Sequence, residues 1–142
     1  MNTTAHQTDK TDQMEKTTIL VAVNDIFFYT KVRDALRANG YTIEKARTQQ
    51  DIADKASSIG PSIVILDMND MALDSFQALE TLKADSRLKA IPTLAFANHE
   101  EVDTWNRAKA LGVTKIVSRN EFSARTKELV DELITLGLRG KA

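Results

Sequence analysis

The sequence contains no cysteine. That excludes disulfides, thiolate metal sites and a cysteine nucleophile, and it suits a reducing compartment. No apolar run approaches the roughly 18 residues needed to span a bilayer. The opening stretch MNTTAHQTDKTDQMEK has no apolar core that could serve as a signal peptide. An excess of one charge is also missing, since 19 Lys and Arg stand against 20 Asp and Glu. No strong basic field is available to hold nucleic acid or an anionic membrane, so neither is expected as a partner. A soluble, cytoplasmic protein is the expectation. The chain has 142 residues, 42% hydrophobic and 27% charged, which is enough for one packed domain.

Residues 1–16 are almost wholly polar and read as a flexible tail. One domain is expected over 17–138, with a short C-terminal tail over 139–142. Within the domain, apolar runs alternate with helical spacing. TTILVAV (17–23), YTIEKA (41–46), SIVILDM (62–68), PTLAFA (92–97) and TKIVS (114–118) read as strands. Between them lie FFYTKVRDALRANG, QQDIADKASSIG, SFQALETLKADSRL and EEVDTWNRAKALG, and EFSARTKELVDELITLG follows as a single closing helix. Gly40, Gly60 and Gly112 are placed to end helices. Five strands alternating with five helices imply parallel strands and right-handed crossovers. The expected fold is a three-layer α/β sandwich, a five-stranded parallel sheet flanked by helices of the flavodoxin-like (βα)5 kind. In such sheets chemistry gathers at the carboxyl ends of the strands.

Several chemistries lack their materials. The connection VNDIFFYT, between the first strand and helix, has no glycine, so backbone amides cannot close around phosphate as in nucleotide-binding loops. His6 lies in the tail and His99 near the fourth helix, so no serine has a histidine and an acid at recognisable positions. What remains is a set of carboxylates, Asp25, Asp67, Asp70 and Asp74. Asp67 ends the third strand. It reads either as a reacting carboxylate or as a structural one paired with Arg119.

At these residues the chain resembles a response-regulator receiver domain, the CheY-like family, from Thr17 to about Leu136, or about 85% of its length. SIVILDMNDMALDSFQALETLK is similar to the segment in which the family's phosphoacceptor aspartate ends the third strand. IPTLAFA and ALGVTKIVSRN resemble the fourth and fifth strands with their flanks. The resemblance implies Asp67 as phosphoacceptor, with Asn69 on the site rim. It also implies a Mg²⁺ ion held by acids after the first strand, since phosphoryl group and carboxylate repel each other without a cation.

The chain departs from the family's pattern at most functional positions. Counting back from Gly40 puts the acid pair on Val23 and Asn24, in agreement with the spacing of Val32 and Leu36. A one-residue slip would put it on Asn24 and Asp25. Ala97 replaces the hydroxyl residue of the fourth strand, and Ile116 the aromatic switch residue of the fifth. Arg119 replaces the lysine, which keeps the charge but not the reach. Asn120 replaces a proline, so a cis peptide bond is not expected there. No metal or cofactor is expected, and Asp25 and Asp67 are weak metal candidates only. The favoured expectation is a stand-alone, non-enzymatic atypical receiver. It would dock a protein, such as a histidine kinase or other signalling protein, or self-associate, through candidates Phe27, Trp105 and Ile116. The alternatives are a degenerate regulator still phosphorylated on Asp67 with Mg²⁺, and, last, a small-ligand site.

Overall fold

The computed structural model describes residues 17–141, with side chains over 17–137. The expected N-terminal tail lies outside the described residues. Five strands, β1 (Thr18–Ala22), β2 (Thr42–Lys45), β3 (Ile63–Asp67), β4 (Thr93–Ala97) and β5 (Lys115–Ser118), pair in parallel in the order β2-β1-β3-β4-β5. Helices α1 (Ile26–Arg37), α2 (Gln49–Ile59), α3 (Ser75–Ala84) and α4 (Val102–Ala110) follow the first four strands in turn. After β5 come α5 (Arg119–Ala124) and α6 (Thr126–Lys141). Among the described residues no helix is long and apolar enough to cross a membrane.

Side-chain alternation along each strand sorts the core into two layers. Leu20, Ala22, Val64, Leu66, Ala95 and Ala97 face α2, α3 and α4, where they meet Ile52, Ala56, Leu79, Leu82 and Ala108. Ile19, Val21, Val23, Ile63, Ile65, Leu94 and Phe96 face the opposite way, toward α1, α5 and α6, and pack with Val32, Leu36, Phe122, Leu129 and Leu133. With both faces covered, the central strands must be apolar throughout, which is why β1, β3 and β4 read as unbroken runs.

Polar residues start the helices. Asp25, Thr48, Asp74 and Ser118 each accept from a backbone N–H in the first turn of α1, α2, α3 and α5. Gly60 ends α2 at φ +65°, and nothing lies within 4 Å of where a Cβ would stand. Gly60→Ala is therefore a test of backbone strain alone. It should lower stability by about 1–2 kcal/mol, read as a drop in the urea midpoint at unchanged slope.

Two expectations about the closing helix are corrected. It is not one helix, since Arg125, at φ −129° and ψ 32°, separates α5 from α6. The Thr126 hydroxyl donates to the Phe122 carbonyl at 2.7 Å, a side-chain competitor for helix bonding that bends the chain. Nor does the helix stop at Gly137, for its backbone runs on to Lys141 through the region read as a short tail. Gly137 is needed for close packing rather than for a stop. A Cβ there would stand 3.1 Å from Pro92 Cγ.

Candidate functional site

The strand order reverses between β1 and β3, the place where connections leave the sheet in opposite directions and open a cleft. Ala22 pairs with Leu66, so the residues after β1 come level with the end of β3. Asn24, Asp25, Asp67, Asn69, Asp70, Met71 and Arg119 line a depression of about 180 Å³ there. That is below the roughly 300 Å³ at which small-molecule pockets begin, which weighs against the small-ligand expectation.

Asp67 lies at its floor, only 3% exposed. Its Oδ1 accepts from the Asn69 backbone N–H at 2.9 Å, and its main-chain carbonyl accepts from the buried Ser75 hydroxyl at 2.7 Å. Burial pushes the Asp67 carboxyl above the usual carboxylate range. The Asn69 N–H and the Arg119 charge pull the other way, and the Asp70 charge adds to the rise.

Arg119, in the first turn of α5, lies between two of the three carboxylates of the cleft, Asp67 and Asp25. Its Nη1 is 3.5 Å from Asp67 Oδ2 and its Nη2 is 3.7 Å from Asp25 Oδ2. Both are long for a charge-assisted hydrogen bond, which is normally about 2.7–2.9 Å. The guanidinium is seated on aromatic rings instead, 4.3 Å from the Phe28 centroid and 5.4 Å from that of Phe96. Phe96 in turn stacks on Phe122 at 4.6 Å. The sequence-level pairing of Asp67 with Arg119 is thus met, but loosely.

The other carboxylates are tied to the backbone. Asp25 Oδ1 accepts from the N–H groups of Phe27 and Phe28 at 3.0 and 3.1 Å, capping α1. Asp70 Oδ2 accepts from the Asn24 N–H at 2.7 Å, and its Oδ1 from Ala72 and Leu73, both at 2.9 Å. Asp70 therefore holds the β1–α1 and β3–α3 loops together, a role its sequence position did not suggest. Val23, one of the two positions counted for the acid pair, is fully buried in the core beneath α1. Only Asn24 and Asp25 reach the cleft.

Two site residues are corrected. Ala97 is fully buried in the α2–α4 layer and does not reach the rim. Strand alternation turns it away from Asp67, whose neighbours Ile63 and Ile65 face the other side. Ile116 is likewise a core residue under α4, so it cannot present a docking surface. Phe27 stands clear of the protein at 86% exposure. Trp105 is half-buried against the core, and its indole N–H donates to the Asn98 carbonyl at 3.0 Å.

A second polar network was not legible in the sequence. Asn69 Oδ1 accepts from the Asn98 N–H at 2.9 Å, and its Nδ2 donates to Glu101 at 2.7 Å. Asn98 Nδ2 also donates to Glu101, at 3.1 Å. These bonds from Asn98 and Asn69 hold the Glu101 carboxyl below its usual range. The two bonds made by the Asn69 side chain join residues about thirty positions apart, which no local pattern announces.

No family model matches the chain, and no curated protein matches it. Solved structures do. The signal receiver domain of a signal transduction histidine kinase from Syntrophus aciditrophicus superposes with a TM-score of 0.75 at 18% identity, covering 84% of this chain and 90% of its own. A response regulator receiver domain from Bermanella marisrubri gives 0.75 at 18% identity, covering 83% and 98%. The receiver domain of a DNA-binding response regulator from Colwellia psychrerythraea 34H gives 0.68 at 22% identity, covering 80% and 98%. At such identities the likeness speaks for architecture alone, and it agrees with the strand order, the two core layers and the cleft at the reversal point. The chain has the CheY-like receiver fold.

Proposed function

We propose that this protein is a signalling adaptor, built on the receiver fold, that works by binding other proteins without aspartyl phosphorylation. The observation that carries this reading is the state of the cleft's carboxylates. Asp67, Asp25 and Asp70 each already accept backbone N–H bonds, and Arg119 lies between the first two. Among the described residues no group of three or more acidic or histidine side chains is arranged to hold a metal ion. Asp25 and Asp67 turn their remaining oxygen, Oδ2, to the Arg119 guanidinium, so a magnesium ion would have to take the place of that cation, and the Val23 side chain offers it no oxygen. These residues do not fit the ion.

Without a divalent ion, phosphoryl transfer to Asp67 lacks several kcal/mol of charge stabilisation. Transfer should then be slower by orders of magnitude. The function left is docking, with a histidine kinase or another signalling protein in the cytoplasm as the partner class. Incubation with a small phosphodonor at millimolar Mg²⁺, followed by intact mass measurement, is the test. No mass change is expected. A phosphoryl gain that disappears in Asp67→Asn would overturn the reading.

A further inference from the structure

The rim of the cleft carries exposed apolar side chains. Met71 is 99% exposed, Phe27 86% and Ile26 55%. Ile26 and Phe27 open α1, while Met71 sits on the β3–α3 loop, and the Asn24–Asp70 bond at 2.7 Å fastens the two segments together. These residues thus stand on a fixed frame. A Phe and a Met presented this way bury little of their apolar surface within the fold, and both types are favoured at the centres of protein interfaces.

The depression they border is acidic. Asp25, Asp67 and Asp70 line it against Arg119 alone. Arg119 does not neutralise them closely, at 3.5 and 3.7 Å from two and with no bond to the third. Asp74 and Glu100 stand exposed on neighbouring loops at the same end of the sheet. A carboxylate cleft edged by apolar groups complements a cation on an apolar background. It does not complement an anionic surface or an acidic peptide.

We propose that this rim is the docking surface, and that its occupant is a partner-protein segment presenting an Arg or Lys side chain flanked by apolar residues. The cation enters the depression toward Asp70 and Asp25, and the flanking apolar groups cover Phe27 and Met71. The proposal rests on the adaptor reading above and gives its partner a chemistry.

The test is an amide chemical-shift titration of the full chain with two synthetic helical peptides. One has a leucine face and lysines elsewhere, and the other carries glutamates in place of the lysines. The lysine peptide should shift amides over 24–28 and 70–72. Its binding should weaken with salt and fall about tenfold or more in the double variant Phe27→Ala, Met71→Ala. Both positions are exposed, so the variant keeps its fold. Equal response to the glutamate peptide, shifts confined to other faces, or undiminished binding by the double variant would each overturn the proposal. So would dimerisation lost in the double variant, since the occupant would then be a second copy. Phosphoryl uptake on Asp67 in the mass experiment would instead overturn the adaptor reading itself, which keeps the two failures apart.

Discussion

Phe96→Ala is expected to cost about 3–5 kcal/mol of stability, the range for emptying a fully buried aromatic site. Against a total of about 5–15 kcal/mol for a domain, the variant would stand near the edge of folding. The size follows from the position. Phe96 is fully buried on the interior strand β4, stacked on Phe122 at 4.6 Å and tilted against Phe28 at 5.0 Å. The two rings against it belong to separate helices, α1 and α5, which cannot both move in to fill the space. Phe96→Leu keeps most of the volume and should lose about 1.5 kcal/mol or less. Urea unfolding of the two variants gives the comparison, and a loss below about 2 kcal/mol for the alanine variant would mean that the trio relaxes around the gap. Because the same ring lies under Arg119, the alanine variant should also loosen the guanidinium over the cleft.

The second large effect concerns Asp67, and its sign separates two views of the cleft. Were the Asp67–Arg119 pair a structural salt bridge, Asp67→Asn would cost about 3–5 kcal/mol, as removing one partner of a buried pair does. Burial is the leading influence on this carboxyl, however, and it raises the folded-state pKa above the ordinary 3.8. A carboxyl whose folded pKa is raised holds its proton more tightly when folded. Its contribution is then full below pH 3.8 and is lost as the pH climbs through the raised folded value. At pH 7 the ionised carboxylate should therefore be a burden. Asp67→Asn keeps an oxygen for the Asn69 N–H and removes the buried charge. The expected result is a variant at least as stable as the wild type at neutral pH. Any advantage should shrink as the pH is lowered toward 4. Thermal unfolding of both proteins across the acid-to-neutral range shows which description holds.

What could be read without coordinates was whatever depends on neighbours in the chain. The run Ile63–Leu66 is apolar without alternation because both of its faces are covered, and that alone marked a central parallel strand. Gly40, Gly60 and Gly112 do take positive φ, so their reading as helix stops rested on a real backbone demand. Gly137 looked the same in the sequence and answers instead to Pro92, a residue far away in the chain. Ile116 was carried over from the family's switch position and Ala97 was placed by strand spacing, and each lies in the layer under α2–α4. A position at a strand's end can be named from spacing, but which layer it faces depends on the parity of that strand against its neighbours. The cleft was legible as Asn24, Asp25, Asn69, Asp67 and Arg119. The part played by Asp70, and the aromatic seat beneath Arg119, arise from contacts across strands and loops that adjacency in sequence does not encode.

The Asn69–Asn98 link has a practical side. The protein has one tryptophan, Trp105, and its indole hydrogen-bonds the Asn98 carbonyl while the Asn98 amide is held by the Asn69 side chain. The chromophore is thus linked through two hydrogen bonds, of 3.0 and 2.9 Å, to the turn that carries Met71. A molecule that shifts that turn is expected to alter the surroundings of the indole, so a change in intrinsic emission on binding would report occupancy with no dye attached.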